Sequence, residues 1–119
     1  MATQQIQQDP GITRTDLQHE DLSIPGRDGI QNRVELGPEA PYVWHKHPGE
    51  EIIYVLEGTL EYAIAGRPPQ TYSAGEALTV PAETPHVVRS VGSSTGAELA
   101  TYIVEKGKPF LEVLEVVAE

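Results

Sequence analysis

Three of the four histidines and one glutamate occupy positions from which a folded chain can bring metal-ligating atoms together. His45 and His47 are two residues apart, so on a strand both imidazoles point from the same face. Pro48-Gly49 then turns the chain, and Glu51 begins the next apolar run, so a tight reversal would place a carboxylate beside the imidazoles. His86 begins a further run directly after a proline-containing turn. The pattern therefore favours convergence of these four side chains.

The chemistry of such a set is that of a divalent metal site. Three imidazoles and one carboxylate suit Fe(II), Mn(II), Ni(II), Cu(II) or Zn(II), and an octahedral ion would keep two positions open for water, O₂ or a bidentate substrate. A His-x-His pair alone is weak evidence, because histidine pairs are common on protein surfaces, and His86 alone is more often an ordinary turn residue. Strand parity does not choose between Glu50 and Glu51, since both faces of that run are apolar.

The elements that must position these residues are short strands. Apolar runs of mostly five to eight residues are separated by Gly and Pro at close intervals, and they cover residues 30–36, 42–47, 51–56, 60–64, 77–80, 86–91 and 98–105. Many short strands with turn signals between them indicate an all-β barrel or sandwich. Leu17, Leu22 and Ile24 could add an N-terminal strand, and residues 110–117 fit either a strand or a short helix.

Composition limits the number of domains and the classes of partner. The 119 residues suffice for one domain, predicted at 12–119, after a flexible, Gln-rich arm at 1–11. A net charge of -10 argues against binding to nucleic acid or to a membrane surface. The chain has no cysteine, and its polar N-terminus does not have the pattern of a signal peptide, so we expect a cytoplasmic protein.

The spacing of the four candidate ligands resembles the two signature motifs of the cupin superfamily. In the first motif, at 37–58, His45-Lys46-His47, three residues, Glu51, six residues and Gly58 match in register, while the leading Gly37 stands two residues early. In the second, at 75–90, Gly75, five residues, Pro81 and then His86 match, whereas Glu83 replaces a Gly and Ser90 an Asn. The resemblance covers the central half of the chain, and the departures spare all four ligand positions.

This resemblance implies a cupin-type double-stranded β-helix, or jelly-roll barrel, that holds one divalent metal ion (Fe, Mn, Ni, Cu or Zn). The implied ligands are His45, His47, Glu51 and His86, so the family spacing selects Glu51 over Glu50. Glu83 stands where the turn often has Gly, which implies either backbone strain or a different type of turn.

Strand parity with the ligands predicts part of a pocket wall, although each residue concerned is more often plain core. Tyr42, Trp44 and Arg89 have the opposite parity and are predicted to face away from the ion. The resulting pocket would be mostly apolar and would favour a small neutral or enolisable organic molecule. The candidate wall residues are Val43, Ile53, Tyr62, Ile64, Leu78, Val88 and Tyr102.

The function is less constrained than the fold, because this fold hosts many reactions. Once three histidines are assigned to the metal only His19 remains, so chemistry at the metal itself is expected rather than histidine acid–base catalysis. The main hypothesis is a dioxygenase-like oxidoreductase that acts on a small organic substrate. The alternatives are a non-catalytic metal- or ligand-binding cupin and a Lewis-acid lyase or isomerase that uses the same site. We also expect a homodimer, since exposed strand edges need cover.

Overall fold

The computed structural model describes residues 4–9 and 11–117, and in this part of the chain all the regular structure is β-strand. No helix there is long and apolar enough to cross a membrane. The predicted all-β class is confirmed. The strands are β1 (Gln4–Asp9), β2 (Ile12–Asp21), β3 (Arg27–Leu36), β4 (Tyr42–Lys46), β5 (Gly49–Glu57), β6 (Thr59–Ile64), β7 (Gln70–Ser73), β8 (Ala77–Val80), β9 (His86–Ser90), β10 (Gly96–Glu105) and β11 (Glu112–Val117).

The strands form two antiparallel sheets that face each other as a jelly roll. One sheet has the order β1-β2-β3-β10-β5-β8 and the other has the order β11-β4-β9-β6-β7. Neighbours in each sheet are mostly distant in sequence, as when β10 pairs with both β3 and β5. Side chains that alternate along each strand fill the space between the sheets, so Ile53 and Val55 of β5 are buried while Ile52 and Tyr54 are exposed.

The seven runs predicted from apolar patterning all coincide with strands. The C-terminal segment, for which strand and helix were both open, forms β11 and pairs with β4. The strand suggested by Leu17 and its neighbours is β2, which begins earlier, at Ile12. Strand β7 was missed because the sequence Gln-Thr-Tyr-Ser offers one apolar side chain, and it forms through pairing with β6.

The N-terminal segment differs from the flexible arm expected at residues 1–11. Gln4–Asp9 form β1, which pairs antiparallel with β2, whereas residues 1–3 and 10 lie outside the described part of the chain. A polar, Gln-rich segment shows no apolar alternation from which a strand could be predicted. Its pairing instead depends on backbone groups at the edge of β2, which accept hydrogen bonds from any sequence.

Strand β11 presents an apolar surface to solvent. Val113, Leu114, Val116 and Val117 are all exposed on it. A face of this kind suits burial against another protein surface. The homodimer and the cytoplasmic location nevertheless stay predictions.

Candidate metal centre

The four predicted ligands meet between the two sheets at one end of the barrel. His45 on β4 lies directly opposite His86 on β9, and Glu51 on β5 reaches the same point from the facing sheet. His47 follows the end of β4 and completes the group. Their nearest ligand atoms all lie within 4.8 Å of one another, and all four residues are buried. We refer to His45, His47, Glu51 and His86 as the His₃Glu cluster.

The turn between His47 and Glu51 depends on a close approach of two strands. A Cβ atom added to Gly49 would lie 1.8 Å from the carbonyl oxygen of Ile103, so only glycine fits at this crossing of β5 and β10. The backbone N–H of Glu105 donates to the carbonyl of Pro48 at 2.9 Å and holds the same crossing together. This contact brings the Glu51 carboxylate back beside the imidazoles.

Backbone carbonyls fix the orientation of all three imidazoles. Nδ1 of His45 donates to the carbonyl oxygen of Val43 at 2.7 Å, and Nδ1 of His86 donates to that of Thr84 at 2.9 Å. Nδ1 of His47 donates to the carbonyl oxygen of Phe110 at 2.9 Å. Because a carbonyl can only accept, each Nδ1 carries the proton. In the neutral ring Nε2 is then unprotonated, and its lone pair faces the cluster.

These tautomers leave acceptor atoms facing one another inside the protein. Nε2 of His86 and Nε2 of His47 lie 3.0 Å and 3.4 Å from the same carboxylate oxygen of Glu51. Nε2 of His47 is buried and has no hydrogen-bond partner. Lone pairs at these distances repel unless a cation lies between them or the rings are protonated, and backbone donors to the far nitrogens are typical of metal-binding histidines. The cluster is therefore consistent with a single metal ion.

Burial and the mutual charges of the cluster shift its protonation equilibria. Burial, together with His86 and His47, lowers the pKa of His45 to about 3, so this ring is neutral at physiological pH. Burial alone would raise the pKa of Glu51, but its electrostatic interactions with the His47 and His86 imidazoles outweigh it and hold that pKa well below the usual range. A neutral imidazole beside an ionised carboxylate is the state that binds a divalent cation.

A cavity opens from the cluster into the interior of the barrel. It contains about 410 Å³ of space between protein atoms, its open mouth included, and its interior is narrow. Both sheets contribute to its wall. The lining residues are Ile12, Arg14, Val34, Leu36, Pro41, Val43, His45, Glu51, Tyr62, His86, Val88 and Glu98.

Only some of the residues predicted for the pocket wall line the cavity. Val43, Tyr62 and Val88 line the cavity, whereas Ile53, Ile64 and Leu78 belong to or pack against the hydrophobic core without lining the cavity. Tyr102 also lies outside the lining, and it packs against the ring of His47 with the centroids 4.7 Å apart. Strand parity chose the inward face correctly for these residues, but it carries no information about their height along the barrel axis. Tyr42, Trp44 and Arg89 line a separate groove on the outer face of the sheet, as predicted.

The cavity is more polar than expected, because two charged residues missed by sequence reasoning face it. Arg14 on β2 and Glu98 on β10 are both buried and both line the cavity. The hydroxyl of Tyr62 donates to Oε1 of Glu98 at 2.5 Å, and Nη1 of Arg14 donates to the hydroxyl of Tyr102 at 3.2 Å. The available signal was strand parity. Arg14 shares the inward face of β2 with Ile12, and Glu98 shares the inward face of β10 with Tyr102.

The environment of Glu98 favours its neutral form. Burial and the nearby charge of Glu51 raise the pKa of Glu98 to about 8, against the lowering effect of the hydrogen bond from Tyr62. Burial and the charge of Glu98 in turn raise the pKa of Tyr62 well above its usual value. The pair therefore places two protonated, hydrogen-bonded groups on the cavity wall beside the His₃Glu cluster.

The turn before β9 contains the residue that departs from the expected glycine. Glu83 has a φ of 56°, in the left-handed region. The backbone thus adopts the conformation that glycine favours, at a steric cost because Glu83 has a Cβ atom. Its N–H donates to the carbonyl of His47 at 2.9 Å, and its carboxylate lies 3.3 Å from Nζ of Lys46. The turn thereby ties the segment before His86 to the backbone of His47.

Comparison with known proteins agrees with this architecture. The cupin domain family matches residues 32–105, which include both signature motifs. The chain belongs to the cupin domain family. A stretch of 49 residues of this cupin is 37% identical to dimethylsulfoniopropionate lyase DddQ of Ruegeria pomeroyi, and it covers 41% of this chain but only 24% of that protein.

Solved structures extend the likeness in fold. The crystal structure of the same lyase has a TM-score of 0.63 at 24% identity, over 71% of this cupin and 42% of that chain. KdgF from Halomonas sp. has a TM-score of 0.66 at 21% identity and covers 89% and 90% of the two chains. A mutant of Bacillus subtilis oxalate decarboxylase has a TM-score of 0.73 at 18% identity, over 93% of this cupin and 30% of that chain. At these identities the likeness establishes the jelly-roll fold alone.

Proposed function

We propose that this cupin is a metal-dependent enzyme of non-redox, lyase type that acts on a small organic substrate in the cavity beside the His₃Glu cluster. The observation that carries the proposal is the hydrogen-bonded pair of Tyr62 and Glu98 on the wall of that cavity, 2.5 Å apart. Lyase chemistry needs a proton to be removed at a defined place, and a buried phenol bonded to a carboxyl group is suited to this.

The cluster and the pair divide the task between them. A divalent cation held by His45, His47, Glu51 and His86 would supply Lewis-acid polarisation of a substrate oxygen. Tyr62 and Glu98 both line the cavity, and Glu98 accepts the phenolic hydrogen bond. When Glu98 is ionised it can take up the phenolic proton while the Tyr62 oxygen accepts the proton from substrate, so Tyr62 relays the proton without becoming a free phenolate.

The proposed reaction is an elimination. The base takes a proton from the carbon next to a carbonyl group, the C–H electron pair becomes the new C=C bond, and the leaving group departs with its bonding pair. No oxidant or reductant is consumed. Two observations favour this reaction over the dioxygenase-like hypothesis. A relative that matches in sequence is named a lyase, and the cavity wall carries a proton-transfer pair.

The test is a substrate screen under two atmospheres. The chain, loaded with Zn(II), Mn(II), Ni(II) or Fe(II), is incubated with small carbonyl compounds that carry a β leaving group, including dimethylsulfoniopropionate. NMR follows alkene formation and exchange of the α-hydrogen with D₂O, while an oxygen electrode records O₂ uptake. We expect metal-dependent alkene formation without O₂ uptake. Product formation coupled to O₂ consumption would instead support the dioxygenase-like alternative, and no turnover or exchange with any metal would leave a binding module.

Substitutions of the pair test its role directly. Tyr62→Phe and Glu98→Gln should each lower kcat by about 10²–10⁴-fold while a full metal equivalent is retained. Tyr72→Phe is the matched control, because the Tyr72 ring packs edge-on against Tyr62 with centroids 5.7 Å apart but its hydroxyl donates to Gln70. Undiminished turnover in the Tyr62 and Glu98 variants would refute their assignment.

A further inference from the structure

Arg14 is a charged side chain in the interior of the barrel. It lies on β2, its residue is 8% exposed, and it lines the cavity together with His45 and Glu51. Burying a guanidinium is costly unless its charge and its donors are matched. A buried arginine on the wall of a cavity beside a ligand cluster therefore calls for a partner.

The protein satisfies only part of this guanidinium. Nη1 donates to the hydroxyl of Tyr102 at 3.2 Å, whereas Nε is buried and has no partner. Arginine presents five N–H donors in a planar fork whose spacing matches the two oxygens of a carboxylate. The cavity-lining Arg14 thus keeps an unpartnered donor that an anionic ligand would satisfy.

The charges around the cavity favour an anion once the cluster is loaded. Burial keeps Glu98 in its neutral form, so the charges of Glu51 and Arg14 balance each other among the lining residues. A divalent cation at the His₃Glu cluster would then give the wall a net positive charge. In a buried site an uncompensated charge is strongly disfavoured, so an anionic ligand would offset it.

We infer that Arg14 binds the carboxylate of the substrate, so that the cavity takes a short-chain carboxylate with its functional group directed at the His₃Glu cluster. This inference rests on the proposed function and names the class of its substrate. The remainder of the lining suits a short hydrocarbon chain, because it is largely apolar. Those residues are Ile12, Val34, Leu36, Pro41, Val43 and Val88.

The inference is tested by binding rather than by turnover. Titration calorimetry with Zn(II)-loaded protein uses propionate as the probe and propionamide, which has the same shape without the charge, as the control ligand. Loss of a charged hydrogen-bonding partner should weaken propionate binding about 10- to 100-fold in Arg14→Gln, and Arg14→Lys should fall between this variant and the native chain. Arg33→Gln is the matched control, since Arg33 instead makes ion pairs with Glu35 and Glu57.

The outcomes separate this inference from the proposed function. Equal propionate affinity in Arg14→Gln with zinc retained would overturn the inference, because the carboxylate would then bind without the guanidinium. Failure of propionate to bind the native protein, or equal binding of propionamide, would also overturn it. If Arg14→Gln does not fold, as judged by circular dichroism, the Arg14→Lys affinity decides. Propionate binding through Arg14 without any lyase turnover would support the inference and count against the proposed function alone.

Discussion

Zinc added to the metal-free protein is expected to raise its thermal stability, and replacing His47 with alanine is expected to remove that gain. A ligand that binds only the folded state stabilises it by about 2.7 kcal/mol at a concentration of 100 times Kd. For a chain of 119 residues, an unfolding entropy of about 2.1 cal/mol/K per residue converts this into a rise in Tm of about 10 °C.

The structure explains why His47 is the informative ligand. Its Nε2 is buried without a hydrogen-bond partner, so a metal ion would satisfy an atom that the protein itself leaves unpaired. Its Nδ1 also donates to the carbonyl of Phe110, so the alanine variant loses some stability even without metal. For this reason the quantity to compare is the metal-induced rise in Tm within each variant, and not the absolute Tm.

The assay is calorimetric unfolding of chelator-treated protein with and without Zn(II), read together with elemental analysis of desalted samples. His47→Ala should show a rise of less than about 2 °C and bind less than one equivalent. His19→Ala is the matched control, because His19 is 56% exposed and bonds to Asp28 instead. A full equivalent of metal and the full rise in His47→Ala would refute the ligand assignment. Loss of the rise in His19→Ala would place the metal outside the His₃Glu cluster.

Three further predictions concern residues around the site. Because burial raises the folded-state pKa of Glu98 from 4.5 to about 8, its contribution to stability is complete below pH 4.5 and is lost as the pH rises towards 8. Urea denaturation of the metal-free protein should therefore show that Glu98→Gln exceeds the native chain in free energy of unfolding by more at pH 8 than at pH 6. An equal difference at the two pH values would contradict the raised pKa of Glu98. Gly49→Ala should lower the free energy of unfolding by more than about 3 kcal/mol, because its Cβ would clash with Ile103. Gly66→Ala is the control, since it has open space around a φ of 85° and should cost about 1 kcal/mol. Similar losses in the two variants would show that β5 and β10 move apart to admit the methyl group. Glu83→Gly should be about 1 kcal/mol more stable than Glu83→Ala. Both variants lose the same ion pairs, and only glycine adopts a φ of 56° without steric strain. Equal stability would mean that the turn carries no strain.

Residues close together in sequence determined the strands and the metal cluster. Alternation along a strand places His45 and His47 on one face whatever the rest of the chain does. The turn at Pro48-Gly49 and the apolar run that follows bring Glu51 back towards them within a few residues. His86 is the one distant member, and motif spacing was sufficient to predict it. The strands could be read from local periodicity and turn chemistry, whereas the choice of Glu51 and the assignment of His86 came from the resemblance to the cupin motifs.

Only the tertiary structure decided what faces the cluster across the cavity. Arg14 and its partner Tyr102 are 88 positions apart, and they meet because β3 lies between β2 and β10 in one sheet. Periodicity states which side chains share a face of a strand, but it does not state which strands become neighbours or at what register. For that reason the sequence predicted a mostly apolar pocket beside the metal ligands. The pairing of distant strands added Arg14 and Glu98 to its wall and made it a site suited to an anion.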